Sequence, residues 1–166
     1  VGLADLARRA GFDSITVESV RGGLAKVRWK GRIQRVAENP TVILDGAHNP
    51  ESVDVLLRRI DETFGGAKPE FVFAVASDKD WRAMLQRISA KASSIVCTTT
   101  GNPRSVPAGD LADAAGKMGF ATVVHEDDPV RAMEAAAGRA GESGLVVAAG
   151  SLYLVGQLLS VFERAG

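Results

Sequence analysis

Asp45, His48 and Asn49 crowd three polar side chains into the stretch that follows a short apolar run, Thr41-Val42-Ile43-Leu44. That run is mostly β-branched, too short for a helix of its own and followed at once by Gly46, so it is expected to be a buried strand with the polar cluster at its carboxyl end. In open α/β sheets ligands bind at that edge. The residues alone leave Asp45 open among a nucleotide ribose acceptor, a metal ligand and the cap of a turn. His48 stands three positions on. On a loop, D-x-x-H does not define a metal site, and histidine is also a common turn and surface residue. With no third ligand of the right kind close in sequence, a structural zinc site is not supported. Asn49 can cap the next helix, and Pro50 suits its first position, where a fixed φ helps and a missing N–H costs nothing.

Three further loops bring polar groups to the same kind of edge. Gly150 and Ser151 lie between the last strand and the last helix, where unpaired N–H groups and the positive dipole end favour an anion, unless Ser151 is only the N-cap. Tyr153, the single tyrosine, is expected to be partly buried core with its hydroxyl near this edge. In Ser77-Asp78-Lys79-Asp80, Asp80 is expected to cap a helix and Lys79 can balance a phosphate or carboxylate. In Asn102-Pro103-Arg104 the guanidinium can grip an anion bidentately. Each cation taken alone is a solvated surface residue by default. Four successive loops of this type point to a shared site.

The elements that must carry these loops follow from periodicity. Val53, Leu56, Leu57, Ile60 and Phe64 fall on one helical face that Gly65 and Gly66 end. Phe71 to Ala76 is an apolar strand, and Trp81, Met84, Leu85 and Ile88 form the next helical face. Ser94 to Thr98 and Phe120 to Val124 are strands, separated by a helix carrying Leu111, Ala115 and Met118. Asp128 and Pro129 start a helix through Met133 and Ala137, Leu145 to Ala149 is the last strand, and a helix runs from about Leu152 to Phe162. Five strands alternating with helices from Thr41 onward indicate βαβ units in a mostly parallel, doubly wound sheet. Upstream, Leu3, Leu6 and Ala10 suggest a short helix stopped by Gly11. Alternation over Ile15–Val20 and Leu24–Trp29 suggests a hairpin or a pair of short strands around Gly22 and Gly23.

At 166 residues the chain is large enough for one domain with a core, and its 20 basic residues match its 20 acidic ones. That balance argues against a nucleic-acid partner or a polybasic membrane surface. The lone cysteine, Cys97, excludes an intrachain disulfide framework and fits a reducing, cytoplasmic setting. No run approaches the roughly 20 apolar residues of a membrane span. The chain begins with Val1 rather than Met, which fits either processing or a piece cut from a longer protein. It has no G-x-x-x-x-G-K-[ST], no G-x-G-x-x-G after the first parallel strand, no G-x-S-x-G and no Cys/His nucleophile pair. These absences leave the isolated chain without a complete catalytic apparatus.

Five stretches, in order and at their spacings, carry a resemblance: G-R-I-Q-R-V from Gly31 to Val36, V-I-L-D-G-A-H-N-P, S-D-K-D-W, N-P-R-S and A-A-G-S-L-Y-L-V. Together they resemble the carboxyl-terminal domain of folylpolyglutamate synthase/dihydrofolate synthase, a branch of the Mur ligase superfamily of ATP-dependent amide ligases. The match runs from about Arg21 to the end, and D-G-A-H-N-P after a G-R segment is its most specific part. The resemblance implies a Rossmann-like three-layer α/β domain, with a mostly parallel sheet and one antiparallel strand around Ile33 to Val36. It implies that residues 1–30 are the end of an ATPase domain and a linker, and that 31–166 are the glutamate ligase domain.

By the same resemblance Arg32 and Asp45 would contact ATP, Asp45 at the ribose hydroxyls. His48 would face the cleft near the γ-phosphate and the incoming glutamate, and Ser151 and Tyr153 would shape the glutamate site. His48 and Ser151 are thus the expected catalytic residues. The implied reaction phosphorylates a folate or pteroate carboxylate with ATP, after which the glutamate amine displaces phosphate. Magnesium ligands and the P-loop would lie mainly in an amino-terminal ATPase domain of the same chain, and the protein would be a monomer. A stand-alone nucleotide-binding or regulatory module with this fold is the alternative. Another Mur-type ligase is a further one, against which D-G-A-H-N-P argues.

Overall fold

Residues 2–12, 14–27 and 29–165 are described by the computed structural model, and they divide into two compact units, Val1–Lys30 and Gly31–Gly166. The first unit holds two helices, α1 (Gly2–Arg9) and α2 (Val17–Lys26), neither of which buries a residue. Helix α1 gives out before Gly11, whose φ is 89°.

Where a hairpin is expected over residues 15–29, Val17–Lys26 form helix α2 instead, and Arg28 lies outside the described residues. Local chemistry explains the difference. Thr16 Oγ1 accepts from the Ser19 N–H at 3.0 Å and Ser19 Oγ accepts from the Thr16 N–H at 2.9 Å, a reciprocal cap that starts a helix. Val17, Val20 and Leu24 then share one face at helical spacing. A lone two-stranded hairpin would have had no third strand to support it.

In the second unit a six-stranded sheet has the order β1-β2-β6-β3-β4-β5. Its strands are β1 (Gln34–Glu38), β2 (Thr41–Leu44), β3 (Glu70–Phe73), β4 (Ser94–Cys97), β5 (Thr122–His125) and β6 (Leu145–Ala149). Only β1 is antiparallel, as expected for the region around Ile33 to Val36; the other pairings are parallel. The helices are α3 (Pro50–Phe64), α4 (Trp81–Ser89), α5 (Ala108–Ala115), α6 (Pro129–Ala140) and α7 (Leu152–Ala165).

Successive strand residues point to opposite faces, so the apolar runs feed two cores at once. Ile43, Phe71, Phe73, Ile95 and Val147 pack against α3, α4 and α5. Val42, Leu44, Val72, Val96 and Val146 pack against α6 and α7. The result is a three-layer α/β domain of the expected class. No helix among the described residues is long and apolar enough to cross a membrane.

Two polar features tie this frame together. Asn49 caps α3 by accepting from the Ser52 N–H at 2.8 Å, with Pro50 in the first turn as its ring requires. At the amino ends of the strands, Glu70 lies buried with its Oε2 accepting from Arg139 Nε at 2.8 Å and its Oε1 from Ser94 Oγ.

Candidate functional site

Strands β2, β6 and β3 are neighbours, but the helices that follow them leave in opposite directions. Helices α3 and α4 cross one face of the sheet while α7, after the strand between, crosses the other. Two crevices therefore open at the carboxyl edge, where the order of connection reverses. The loop before α5 joins them: Ser77 N–H donates to the Arg104 carbonyl at 2.7 Å, and Ala76 bridges Ser105.

Two recesses result. The smaller, of about 140 Å³, is lined by His48, Asp78, Lys79, Arg104, Ser151 and Tyr153, among others. The larger, of about 370 Å³, sets Arg32, Asp45, His48 and Ser52 against an apolar wall of Ile33, Val55 and Leu56. His48 belongs to both.

Glycine makes this closeness possible at two points. Gly150 has a φ of 106°, and a Cβ there would lie 2.3 Å from the Ala74 carbonyl oxygen, so only glycine fits between the strand ends. A Cβ on Gly46 would come within 2.4 Å of Leu152 Cδ2 and 2.8 Å of Arg32 Nη1. The Arg32 guanidinium thus lies against bare backbone.

The imidazole of His48 is half-buried and oriented from its own loop. Its Nδ1 is 2.8 Å from the Gly46 carbonyl, which makes Nδ1 the protonated nitrogen in the neutral ring and leaves Nε2 as an acceptor. The His48 backbone N–H donates to Ser52 Oγ at 3.0 Å. Asp45 is only 6% exposed, and its two carboxylate oxygens accept from the Ile33 and Ala47 N–H groups at 2.8 and 2.7 Å.

Ser151 is buried, and its Oγ accepts from the Tyr153 N–H at 3.1 Å, so it caps α7 and still has a hydroxyl proton to donate. Tyr153 corrects the expectation of partial burial: it is 58% exposed. Leu154, Val155 and Leu158 occupy the core face of α7, which turns the preceding Leu152 and Tyr153 outward at the mouth of the smaller recess. Asp80 caps α4, accepting from the Ala83 N–H at 3.2 Å. Asp78 pairs with Lys79 at 2.9 Å, and that hydrogen bond, with the nearby charges of Lys79 and Arg104, holds its carboxyl below the usual 3.8.

The structure thus brings Arg32, Asp45 and His48 to one recess and His48, Ser151 and Tyr153 to the other. Sequence reasoning passed over Ser52, Gly46 and Ile33. Ser52 was findable, since it stands three positions after Asn49 in a capping pattern. No group of three His, Cys, Asp or Glu residues converges to hold a metal ion among the described residues.

Comparison with known proteins follows the same outline. A family model described as Mur ligase, glutamate ligase domain, matches residues 31–152. A dihydrofolate synthase/folylpolyglutamate synthase of Bacillus subtilis is 31% identical over 155 residues, covering 93% of this chain and 35% of that protein. The Mycobacterium tuberculosis folylpolyglutamate synthase, solved with ADP and AMPPCP, superposes with a TM-score of 0.83 at 28% identity. That match covers 90% of this chain and 36% of the other. A bifunctional folylpolyglutamate synthase/dihydrofolate synthase from Yersinia pestis, solved with AMPPNP and a manganese ion, gives a TM-score of 0.79 at 28% identity, covering 89% and 35%. The chain spans about a third of the length of these relatives.

Proposed function

The chain belongs to the Mur ligase family through its glutamate ligase domain, and from that premise we propose that it is the glutamate-receiving, cleft-closing domain of a folate ligase. One observation carries the reading. His48 stands in the wall common to both recesses, so a nucleotide beside Arg32 and Asp45 and an amino acid beside Lys79, Arg104 and Ser151 would meet at one imidazole.

In this reading the smaller recess takes L-glutamate. Lys79 and Arg104 supply two cations for its two carboxylates, Arg104 with the planar fork that suits bidentate binding. The Ser151 hydroxyl donates a further hydrogen bond, and Tyr153 covers the mouth. With Nδ1 anchored on the Gly46 carbonyl, His48 directs Nε2 into the cleft, where it can take a proton from the amine as the amide forms.

The larger recess fits a nucleoside: Ile33, Val55 and Leu56 give it an apolar wall, with Arg32 and Asp45 beside it. When bound, ATP supplies the phosphoryl group that activates the folate or pteroate carboxylate. Magnesium would balance the phosphate charge, and the described residues bring no group of three His, Cys, Asp or Glu together to hold it. We place its ligands and the P-loop in an amino-terminal ATPase domain of the same protein, with Val1–Lys30 as that domain's end and linker. Closing over the nucleotide, excluding water and aligning the amine are then this domain's share of catalysis. Alignment of that kind lowers a barrier by up to roughly 7–11 kcal/mol.

The test is ADP release by the chain joined to its P-loop domain, with dihydropteroate and tetrahydrofolate offered as separate acceptors. Release is expected to require both glutamate and an acceptor, and residues 1–166 alone are expected to give none. Release indifferent to glutamate, or turnover by the isolated chain, would overturn the reading.

A further inference from the structure

We infer that Asp78 is a specificity-determining residue of the smaller recess: its carboxylate offsets one of the two cations there and so keeps a phosphate-like dianion from competing with a singly charged amino acid. The inference deepens the ligase reading and rests on it for the identity of that amino acid.

Backbone bonds assemble a group of three charges. The Lys79 N–H donates to the Ala76 carbonyl at 3.1 Å, closing a turn in which Asp78 and Lys79 stand side by side. The Ser77 N–H donates to the Arg104 carbonyl at 2.7 Å, which fastens the loop of the second cation to that turn. Lys79 Nζ then donates to Asp78 Oδ2 at 2.9 Å. All three side chains line the recess, and Asp78 is the one acid among its described lining residues. The hydrogen bond from Lys79, with the charges of Lys79 and Arg104, keeps the Asp78 carboxyl below 3.8, so it is ionised at neutral pH.

The count of charges matters because of what the neighbouring recess would hold. In the proposed reaction phosphate leaves where the two recesses meet, at His48. Lys79 and Arg104 without an acid would make a doubly positive pocket beside it, which favours a dianion. With Asp78 ionised and His48 neutral the pocket carries a single positive charge. Glutamate, with two carboxylates and one ammonium, is its complement. A unit charge about 5 Å away through water changes the binding of a monoanion about fourfold and that of a dianion about fifteenfold. Asp78 therefore weakens both ligands and weakens phosphate more, and specificity is that difference.

The experiment is Asp78→Asn, which removes the charge and keeps the shape, with Asp78→Glu as the variant that keeps the charge. Two readouts are taken at low ionic strength and mildly alkaline pH, where inorganic phosphate is a dianion. One is an NMR titration of this chain with inorganic phosphate, followed at the Arg104 and Ser151 amides. The other is the Ki of inorganic phosphate against glutamate, divided by the KM for glutamate, in the chain joined to its P-loop domain. In Asp78→Asn phosphate affinity is expected to rise at least about fivefold and the ratio of Ki to KM to fall at least about threefold. Asp78→Glu is expected to keep both near the wild-type values, which a merely structural role for Asp78 would not require. Unchanged phosphate affinity in Asp78→Asn, or a ratio that stays level or rises, overturns the inference. If the joined protein shows no glutamate-dependent release at all, the ligase reading fails, and the phosphate titration of this chain still decides whether Asp78 keeps dianions out.

Discussion

The two ends of the sheet each bury a carboxylate, and they use it differently. At the amino ends of the strands Glu70 takes its partners from afar: Ser94, 24 residues on, and Arg139, 69 residues on. Those bonds join β3, β4 and α6, and the guanidinium balances the charge. At the carboxyl ends Asp45 accepts from nearby backbone N–H groups, 2 and 12 residues away, and joins two loops. One carboxylate fastens the core, while the other shapes a loop and leaves cations at the crevice, Lys79 and Arg104, facing a recess. Where polar groups serve the fold they find one another across the chain. Those that line the recesses bond locally, His48 to the Gly46 carbonyl, Ser151 to the Tyr153 N–H and Lys79 to Asp78.

The sharpest way to break that contrast is His48→Ala. If His48 takes a proton in the proposed reaction, removing its imidazole is expected to lower kcat for ligation by roughly 10²–10³-fold, which is about 3–4 kcal/mol of barrier. Its ring is half-buried and tied only to its own loop, so the melting temperature is expected to move by less than about 2 °C. Steady-state kinetics and a thermal melt on one preparation check both halves. A large loss of stability with little loss of rate would place His48 with Glu70, among the residues that hold the fold.

Much of this frame is visible in the chain before folding, because β-branched runs buried on both faces leave a strong trace. Thr41–Leu44, Ser94–Cys97 and Leu145–Ala149 are such runs, and Asn49-Pro50 announces the helix behind the first. The polar loops of the crevice follow from the strand ends. What escaped depends on phase or on distance. Tyr153 looked like core because helical spacing says which residues share a face without saying which face turns inward. Residues 17–26 alternate weakly enough that the Thr16–Ser19 cap outweighs the pattern. The left-handed turn at Ile33 combines a local bond, Gly31 N–H to Gln34 Oε1, with a distant one from the Ile33 N–H to Asp45. Glu70 and Arg139 are brought together by nothing short of the folded sheet.

Arg139→Ala tests the other side of the comparison. It leaves the Glu70 carboxylate buried with hydroxyl partners only, and the loss of a charged hydrogen bond is expected to cost about 1.5–3 kcal/mol of stability. For a domain of this size that lowers the melting temperature by roughly 5–10 °C. The rate of ligation below the melt is expected to stay at the wild-type level, since no crevice residue touches this network. Denaturant unfolding gives the energy, and the ADP-release assay gives the rate. A fall in kcat with unchanged stability would dissolve the division between the two edges.

The smallest effect expected is also the one that separates them most finely. Asp78 is exposed, and its carboxyl is held below 3.8 first by the hydrogen bond from Lys79, then by the charges of Lys79 and Arg104. A depressed carboxyl favours the folded state above its unfolded pKa and loses that contribution as pH falls through the folded value. At an exposed site salt screens the effect, so it is a change in titration rather than a change in stability. Lys79→Ala is expected to return the carboxyl toward 3.8, followed by NMR titration of the Asp78 side chain. Glutamate should do the same without a mutation. If a substrate carboxylate takes Lys79, its Nζ leaves Asp78 and the Asp78 pKa rises. An Asp78 titration that ignores saturating glutamate in the ligase-competent protein would remove Lys79 from the glutamate site. The pair would then be no more exchangeable than the one at the far edge of the sheet.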